Sequence, residues 1–189
     1  EKKLNVVIFR CPVIVDKTRA HRLGILFEFI RDGNTLWIVG DGKNKIQFLS
    51  AFDLFKVTKQ SFNLTGKKIY NIGTDKVVNL KDTFQYLIDK TNSQSKIRFF
   101  NKIIGIFILK LLSKFNLIDF TDYHNKLLVS NIVMDISKIK EELNFSPDKS
   151  SAELLHEAYV YYINSTKENK TGSAKKPRLG FFKLIKFFT

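Results

Sequence analysis

Apolar positions in the first part of the chain follow two periodicities in turn. Residues 5–10, Asn-Val-Val-Ile-Phe-Arg, form an unbroken apolar run that is typical of a strand covered on both faces, as in a parallel sheet. Pro12 limits how far regular pairing can continue. Helical spacing follows, at Leu23, Leu26, Phe27 and Ile30. Gly33 stands where helices commonly end, and the apolar run at 36–39 predicts the next strand.

The alternation of strands and helices continues to residue 163. Further strands are predicted at 69–73 and 96–99, and Asn79 or Thr74 is the predicted cap of the helix that ends near Lys90. The predicted helices lie at 51–62, 79–90, 101–115, 137–143 and 152–163. Strands that alternate with helices predict an α/β fold, built from βαβ units around a mostly parallel sheet.

Two of these helices are predicted to be amphipathic. In the helix at 51–62 the apolar positions are Phe52, Phe55 and Phe62. In the helix at 152–163 the predicted inward residues are Leu154, Leu155, Ala158, Tyr159 and Tyr162. The helix at 101–115 is strongly apolar, with Lys102, Lys110 and Lys114 along one polar edge, and it is about half the length that a bilayer span requires.

Length and composition are those of one folded domain with a tail. The chain has 189 residues, of which 44% are hydrophobic, so a buried core of ordinary size is expected. We predict a domain at 1–165, a basic polar linker at 166–178 and a short apolar tail at 179–189. Cys11 is the only cysteine, which excludes an internal disulfide. No leader pattern follows Glu1, and the chain is therefore expected to be cytoplasmic.

The formal charge of +14 is unevenly distributed. Residues 167–189 contain seven basic residues and one acidic residue, a net charge of +6, whereas the rest has the general lysine bias of the sequence. Nucleic-acid binding is therefore not favoured. The tail, Gly-Phe-Phe-Lys-Leu-Ile-Lys-Phe-Phe-Thr, suits a short helix at the inner face of an anionic membrane, while docking on its own domain or on a partner subunit is the alternative.

Gly40-Asp41-Gly42 follows the strand at 36–39 and invites comparison with phosphate-binding loops. A dinucleotide fingerprint needs a third small residue and opens a helix at once, but Lys45 stands at that position and residues 46–49 favour extended structure. No Ser or Thr follows Lys45, so a Walker loop is also excluded. The sequence indicates a tight turn that leaves a strand.

Several short motifs occur in a characteristic order. They are Arg10-Cys11-Pro12, Gly40-Asp41-Gly42, Asp53-Leu54, Tyr70-Asn71-Ile72-Gly73, Asp135-Ile136-Ser137-Lys138 and Leu143-Asn144-Phe145-Ser146-Pro147. In this order they resemble the carboxyl-terminal half of the extended short-chain dehydrogenase/reductases, the NAD-dependent epimerase/dehydratase family. The resemblance implies the last parallel strands of a Rossmann-like fold with a small mixed α/β substrate domain, an incomplete dinucleotide fold.

The resemblance also implies an activity for a parent enzyme. That enzyme would use NAD(P) for epimerisation, dehydration or oxidation of a sugar or nucleotide-sugar-like substrate. The family's glycine loop is absent from this sequence, and so is a correctly placed Tyr-x-x-x-Lys pair. Tyr86 and Lys90 have the spacing of that pair but follow the Asn-x-Gly strand, and we interpret them as a helix-face tyrosine and a solvated lysine. We therefore expect this chain alone to be inactive and to bind no cofactor.

By the same resemblance, the residues of the substrate side are Arg10, Pro12, Gly40, Gly42, Gln47 and Asp53. Gln47 is the expected direct ligand contact. Arg10 could instead form an ion pair at the strand end, and Asp53 suits a helix start. Ile46 replaces an arginine that binds the diphosphate in many family members, so the substrate need not be a nucleoside diphosphate sugar.

Two questions stay open in the sequence. A non-catalytic binding or membrane-peripheral module derived from the fold is the alternative function, and a homodimer is an alternative to a monomer. A metal site is not predicted, because His21, His124 and His156 lie far apart in the sequence.

Overall fold

The computed structural model describes residues 4–16, 23–115, 126 and 130–168. The strands are β1 Val6–Arg10, β2 Val13–Val15, β3 Leu36–Val39, β4 Phe48–Ser50, β5 Lys67–Asn71 and β6 Ile97–Phe100. The helices are α1 Gly24–Arg31, α2 Ala51–Gln60, α3 Leu80–Lys90, α4 Lys102–Lys114, α5 Ser137–Leu143 and α6 Ser151–Glu168. A 3₁₀ turn at Ser61–Asn63 follows α2.

The described strands form three parallel pairs: β1 with β5, β2 with β4, and β3 with β6. Each pair is joined by a crossover that contains at least one helix, as parallel pairing requires. The predicted α/β fold with parallel strands is thus confirmed, although the strands form three separate two-stranded sheets.

Pro12 marks the point where the chain changes strand partner. β1 ends at Arg10, whose carbonyl oxygen still accepts a hydrogen bond from the Ile72 amide at 3.1 Å. Pro12 has no N–H to continue a ladder, and β2 begins one residue later beside β4 instead of β5. The predicted end of regular pairing therefore separates two of the three sheets.

The core consists of two buried clusters. The first includes Phe27 and Ile30 of α1, Leu87 of α3 and the inner face of α6. The second joins Val57 of α2, Tyr70 of β5 and Ile139 of α5. The predicted inward residues of α6 are confirmed, since four of the five are buried and Tyr159 is partly buried against the first cluster.

Gly33 ends α1 as predicted. Its φ of +71° is a left-handed conformation that glycine adopts without strain. The Asn34 amide donates to the carbonyl oxygen of Phe29 at 2.9 Å, and the Gly33 amide donates to that of Ile30 at 3.2 Å. This pair of hydrogen bonds is a Schellman motif, which satisfies carbonyl groups that the helix end leaves without partners.

The predicted apolar positions of α2 do not face the core. Phe52, Phe55 and Phe62 are all exposed, and α2 instead buries Asp53 and Val57. The prediction counted phenylalanines at helical spacing, whereas the contact with the second cluster selects the face that carries Val57. The helix is therefore present, but its proposed apolar face is wrong.

Two surfaces of the described chain expose apolar side chains next to parallel strands. Ile8 of β1 and Ile69 of β5 are paired neighbours on the exposed face of their sheet. α4 exposes most of its apolar residues and buries only Gly105. None of the helices in the described ranges is long and apolar enough to cross a membrane.

The predicted linker and tail lie mostly outside the described residues. Residues 166–168 belong to α6, which extends past the predicted domain end at residue 165. Membrane contact of residues 179–189 and homodimer formation both stay predictions.

Candidate ligand-binding site

A cleft of about 1010 Å³ lies at the carboxyl ends of β3 and β6. Val39 and Phe100, the last residues of the two strands, both line it. Ligands of open parallel sheets bind beyond the carboxyl ends of the strands, so the position is typical of a binding site. The other lining residues are Gly40, Asp41, Gly42, Lys43, Asn44, Asn79, Lys81, Asp82, Phe99, Asn101, Lys102 and Asn131.

The turn Gly40-Asp41-Gly42 forms one wall of the cleft. Gly40 and Gly42 have φ values of +90° and +70°, which favour glycine. The Gly40 amide donates to the Phe100 carbonyl oxygen at 2.8 Å, and the Gly42 carbonyl oxygen accepts from the Lys81 amide at 3.1 Å. The turn is therefore fixed both to β6 and to the first residues of α3.

Two helices begin at the cleft, and each is capped by an asparagine that lines it. Asn79 Oδ1 accepts from the Asp82 amide at 2.8 Å at the start of α3. Asn101 Oδ1 accepts from the Ile103 amide at 3.0 Å at the start of α4. Helix amino termini carry partial positive charge, so both helices favour an anionic group in the cleft.

Three lysines and two aspartates line the cleft, which gives their side chains a net charge of +1. Asp41 Oδ1 accepts from the Lys43 amide at 3.0 Å, and this hydrogen bond holds the pKa of Asp41 below its ordinary value. Asp82 Oδ2 accepts from Asn79 Nδ2 at 2.8 Å. By contrast, no ion pair within the described ranges involves the side chain of Lys81 or Lys102, and both ammonium groups remain available to a ligand.

Four of the six predicted site residues lie outside the cleft. Gly40 and Gly42 line it, as expected for the turn. Arg10 is exposed at the end of β1, and its side chain forms no ion pair within the described part of the chain. Pro12 is half-buried between β1 and β2. The strand end that carries Arg10 and Pro12 thus contributes no lining residue to the cleft.

Gln47 is only 1% exposed and bonds to main-chain atoms from two distant segments. Its Nε2 donates to the Thr74 carbonyl oxygen at 2.7 Å and more weakly to that of Met134 at 3.4 Å. Its Oε1 accepts from the Met134 amide at 3.0 Å. A Cβ on Gly73 would lie 2.5 Å from Gln47 Cδ, which gives the Asn-x-Gly motif a packing reason. The geometry gives Gln47 a positioning role, and direct ligand contact stays a prediction.

Asp53 lies in the first turn of α2, as predicted for a helix start, and is 3% exposed. Ser50 is the cap, since its Oγ accepts from the Phe52 amide at 3.1 Å. Burial raises the pKa of Asp53, and the nearby Asp148 carboxylate raises it further. Asp53 lines a second, smaller cavity of about 330 Å³ together with Asp148, Lys149 and Glu157.

Tyr86 and Lys90 do form a contact on α3. Lys90 Nζ lies 5.6 Å from the centroid of the Tyr86 ring, and that ring packs edge-on against His156. Neither residue lines the cleft or the smaller cavity. In the described residues no group of three or more His, Cys, Asp or Glu side chains is arranged to hold a metal ion.

Sequence reasoning did not identify the residues that give the cleft its charge. Lys81 stands two residues after the cap Asn79, and Lys102 stands one residue after the cap Asn101. Each lysine therefore belongs to a helix start that the sequence shows. The meeting of the two helix starts depends on the parallel pairing of β3 with β6. Asn131 Oδ1 accepts a hydrogen bond from the Lys45 amide at 2.9 Å. The two residues lie 86 positions apart in the sequence, so no local pattern indicates that contact.

Comparison with known proteins shows relatives of about twice this length. No protein-family model matches the chain. An uncharacterized protein, y4nG of Sinorhizobium fredii, is 27% identical over 173 residues, which are 91% of this chain and 44% of that protein. The chain therefore spans less than half of this relative.

Solved structures of similar fold are NAD-dependent epimerases and related enzymes. UDP-glucose 4-epimerase of Thermotoga maritima, solved with UDP-glucose, superposes with a TM-score of 0.61 at 17% identity over 86% of this chain and 47% of its own. MoeE5, solved with UDP-glucose and NAD, superposes with a TM-score of 0.61 at 17% sequence identity. The match covers 86% of this chain and 48% of MoeE5. UDP-glucuronic acid 4-epimerase of Bacillus cereus, solved with UDP-glucuronic acid and NAD, superposes with a TM-score of 0.59 at 18% sequence identity. The match covers 86% of this chain and 46% of the epimerase.

These matches establish the fold. The chain shares its mixed α/β fold, with short parallel strands and helices, with about half of the length of each of these Rossmann-like enzymes. The sequence-based fold class is thereby confirmed.

Proposed function

We propose that this chain is the carboxyl-terminal, substrate-binding part of an NAD-dependent epimerase or dehydratase that acts on a sugar or nucleotide-sugar-like substrate. The single observation that carries the proposal is the cleft at the carboxyl ends of β3 and β6. Two capped helix starts border it, and Lys81 and Lys102 line it together with Lys43, whose ammonium group lies 3.7 Å from Asp41 Oδ2. This arrangement favours a ligand with a phosphate group, and asparagine side chains suit sugar hydroxyls.

The sugar part of the proposal draws on the order of the motifs and on the solved structures. The Arg-x-Pro motif lies at the end of β1, the Gly-Asp-Gly motif forms the turn after β3, and the Asn-x-Gly motif lies at the end of β5. This is the order that the family resemblance implies. The superposed enzymes are named for UDP-glucose and UDP-glucuronic acid. Ile46, which replaces the family's arginine, packs against the first core cluster and offers no charge to a diphosphate.

The Gly-Asp-Gly turn does not have the form of a dinucleotide-binding loop. A pyrophosphate is held where a glycine-rich turn opens a helix, but Gly40-Asp41-Gly42 leads through extended residues into β4. Ile8 and Ile69 are exposed, whereas parallel strands are normally covered on both faces. We therefore infer that another part of the parent enzyme covers this face of the sheet. In this proposal NAD(P) and the Tyr-x-x-x-Lys chemistry belong to residues beyond this sequence, and the chain alone is inactive.

Within the proposed site the predicted residues have different tasks. Gly40 and Gly42 shape the turn that borders the ligand, and Gln47 positions the strand that leads from it. Asp53 starts α2, while Arg10 and Pro12 mark the strand end at which the missing half would approach.

Titration of the chain with UDP-glucose, followed by NMR or calorimetry, tests the substrate side. Binding is expected, and the double variant Lys81→Ala/Lys102→Ala should weaken it roughly tenfold or more, since charge-assisted hydrogen bonds to phosphate would be lost. The matched control is Lys59→Ala/Lys67→Ala, which removes two exposed lysines outside the cleft. Equal affinities for the two double variants would contradict the assignment of the cleft.

Titration with NAD tests the division of labour. The chain should show no saturable binding of NAD. Micromolar affinity would mean that these residues do hold a cofactor, and the proposed division between the two halves would be wrong.

A further inference from the structure

α4 exposes apolar side chains from Ile103 to Leu111. Ile103 is 79% exposed and Phe107 is 66% exposed, and Ile104, Ile108 and Leu111 are also exposed. At 100° per residue, Ile104, Phe107 and Leu111 fall within an arc of about 60°, so they form one continuous stripe. A surface helix normally directs polar residues outward, and an exposed stripe of this kind marks an interaction surface.

The fold holds α4 in this orientation. Gly105 is buried against β3, where a Cβ would lie 3.0 Å from Val39 Cγ1. Ile106, Leu109 and Leu112 are partly buried on the same inward side of the helix. Because the inward side already has its contacts, α4 cannot turn its stripe into the core without losing the close approach at Gly105.

The charges on α4 select the kind of partner. Lys102, Lys110 and Lys114 are all exposed, and residues 102–114 contain no acidic residue. On the helix, Lys110 and Lys114 stand along one border of the stripe. A second copy of α4 would bring together surfaces of the same sign, and the tail at 179–189 also carries two lysines and no acidic residue. An anionic surface is therefore the complementary partner.

We propose that α4 is a membrane-surface helix that docks on an anionic lipid bilayer. Phe107, Leu111 and Ile104 enter the boundary between headgroups and acyl chains, and Lys110 and Lys114 reach the lipid phosphates. This inference is independent of the enzyme proposal. It also differs from membrane contact by the tail, because it places the docking surface on the folded domain.

Trp37 supplies a built-in reporter. It is the only tryptophan in the sequence and is 49% exposed. Its ring centroid lies 5.1 Å from that of Phe100, and it shares a sheet face with Val39, the residue on which Gly105 packs. A bilayer that meets α4 should therefore lower the polarity around Trp37.

The test is flotation of the full 189-residue chain with large unilamellar vesicles. Vesicles of phosphatidylcholine are compared with vesicles that contain one-quarter phosphatidylglycerol. We expect partition onto the anionic vesicles, a blue shift of Trp37 fluorescence and weaker partition at high salt. Phe107→Glu/Leu111→Glu should reduce the partition by about tenfold or more, because both side chains would have to enter the acyl region.

Two controls separate α4 from other causes of binding. Phe52→Glu/Phe55→Glu makes the same change of charge at two exposed phenylalanines of α2 and should leave partition within about twofold, since only general charge repulsion changes. Deletion of residues 179–189 should preserve the effect of Phe107→Glu/Leu111→Glu, and circular dichroism should show all variants folded. Failure to bind anionic vesicles, or equal loss in the α2 and α4 variants, would overturn the proposal. Binding that disappears with the tail alone would do the same.

Discussion

α3 and α4 begin at the same cleft with the same kind of cap, yet they relate to the core in opposite ways. Each starts after an asparagine whose Oδ1 accepts main-chain amides, and each directs its positive end toward the cleft. α3 buries Leu80, Leu87 and Ile88 in its contacts with α6 and β6, whereas α4 buries only Gly105. Two helices can therefore start at one cleft while the rest of each helix has different surroundings.

The largest expected effect comes from deleting a leucine in each helix. Leu87→Ala should lower the free energy of unfolding by about 2–5 kcal/mol, since Leu87 is fully buried in the first cluster and its loss leaves a cavity. Leu111→Ala should change it by no more than about 0.5 kcal/mol, because the side chain is exposed. Urea unfolding of both variants measures the difference. Similar losses would mean that α4 has a cover that supports global stability.

A smaller effect is expected at the turn that joins the two helix starts. Gly42→Ala should cost roughly 2 kcal/mol, because φ is positive and the new Cβ would lie 3.0 Å from Lys81 Cβ in α3. Gly40→Ala should cost roughly 1 kcal/mol, because φ is also positive but the space around a Cβ is open. Thermal unfolding of the two variants compares them. Equal costs would indicate that contact with α3 adds nothing at Gly42.

The smallest effect is the part of the alkaline pH dependence that comes from Tyr162, in the cluster that contains α3. Tyr162 packs in that cluster and its hydroxyl donates to Glu28 Oε1 at 3.0 Å, and burial together with this bond raises the pKa of Tyr162 to about 12. Because the folded pKa exceeds the unfolded value, this contribution is complete below about pH 10 and is lost as pH rises toward 12.

Urea unfolding at pH 8 and pH 11 measures this loss. Wild type should lose about 1 kcal/mol more than Tyr162→Phe between the two values, since the phenylalanine variant has no proton to release. The same loss in both proteins would assign the alkaline effect to other groups. Hydrogen exchange in α4 should not depend on the Tyr162 substitution, because α4 lies outside that cluster.

Local sequence patterns predicted most helices and strands of this fold, because periodicity and capping depend on residues that are close together in the sequence. β3 and α5 have the predicted bounds, and of the two predicted caps, Asn79 and Thr74, Asn79 is the one that caps α3. The α2 face was predicted wrongly because periodicity does not show which side meets the core. The alternation of elements predicted a mostly parallel sheet, and the described strands are paired in parallel, but the alternation does not show that they change partner at Pro12.

The candidate site was less accessible to sequence reasoning. Its turn was predicted from Gly40 and Gly42, but its cations depend on the meeting of two helix starts. The role of Gln47 depends on Thr74 and Met134, which lie 27 and 87 residues away along the chain. Contacts at such separations leave no trace in local periodicity, and a family resemblance supplied the position of Gln47 but not its partners.

The bonds of Gln47 also set an order for the assembly of this protein. Residues 45–47 complete their hydrogen bonds only when residues 131–134 are present, because Ile132 bonds to the main chains of Lys45 and Gln47 and the Met134 amide donates to Gln47 Oε1. During synthesis, therefore, almost ninety further residues must follow the segment after the Gly-Asp-Gly turn before the last of its polar groups has its native partner. A ribosome stalled before residue 131 would display a nascent chain in which this segment is still open to chaperones and proteases.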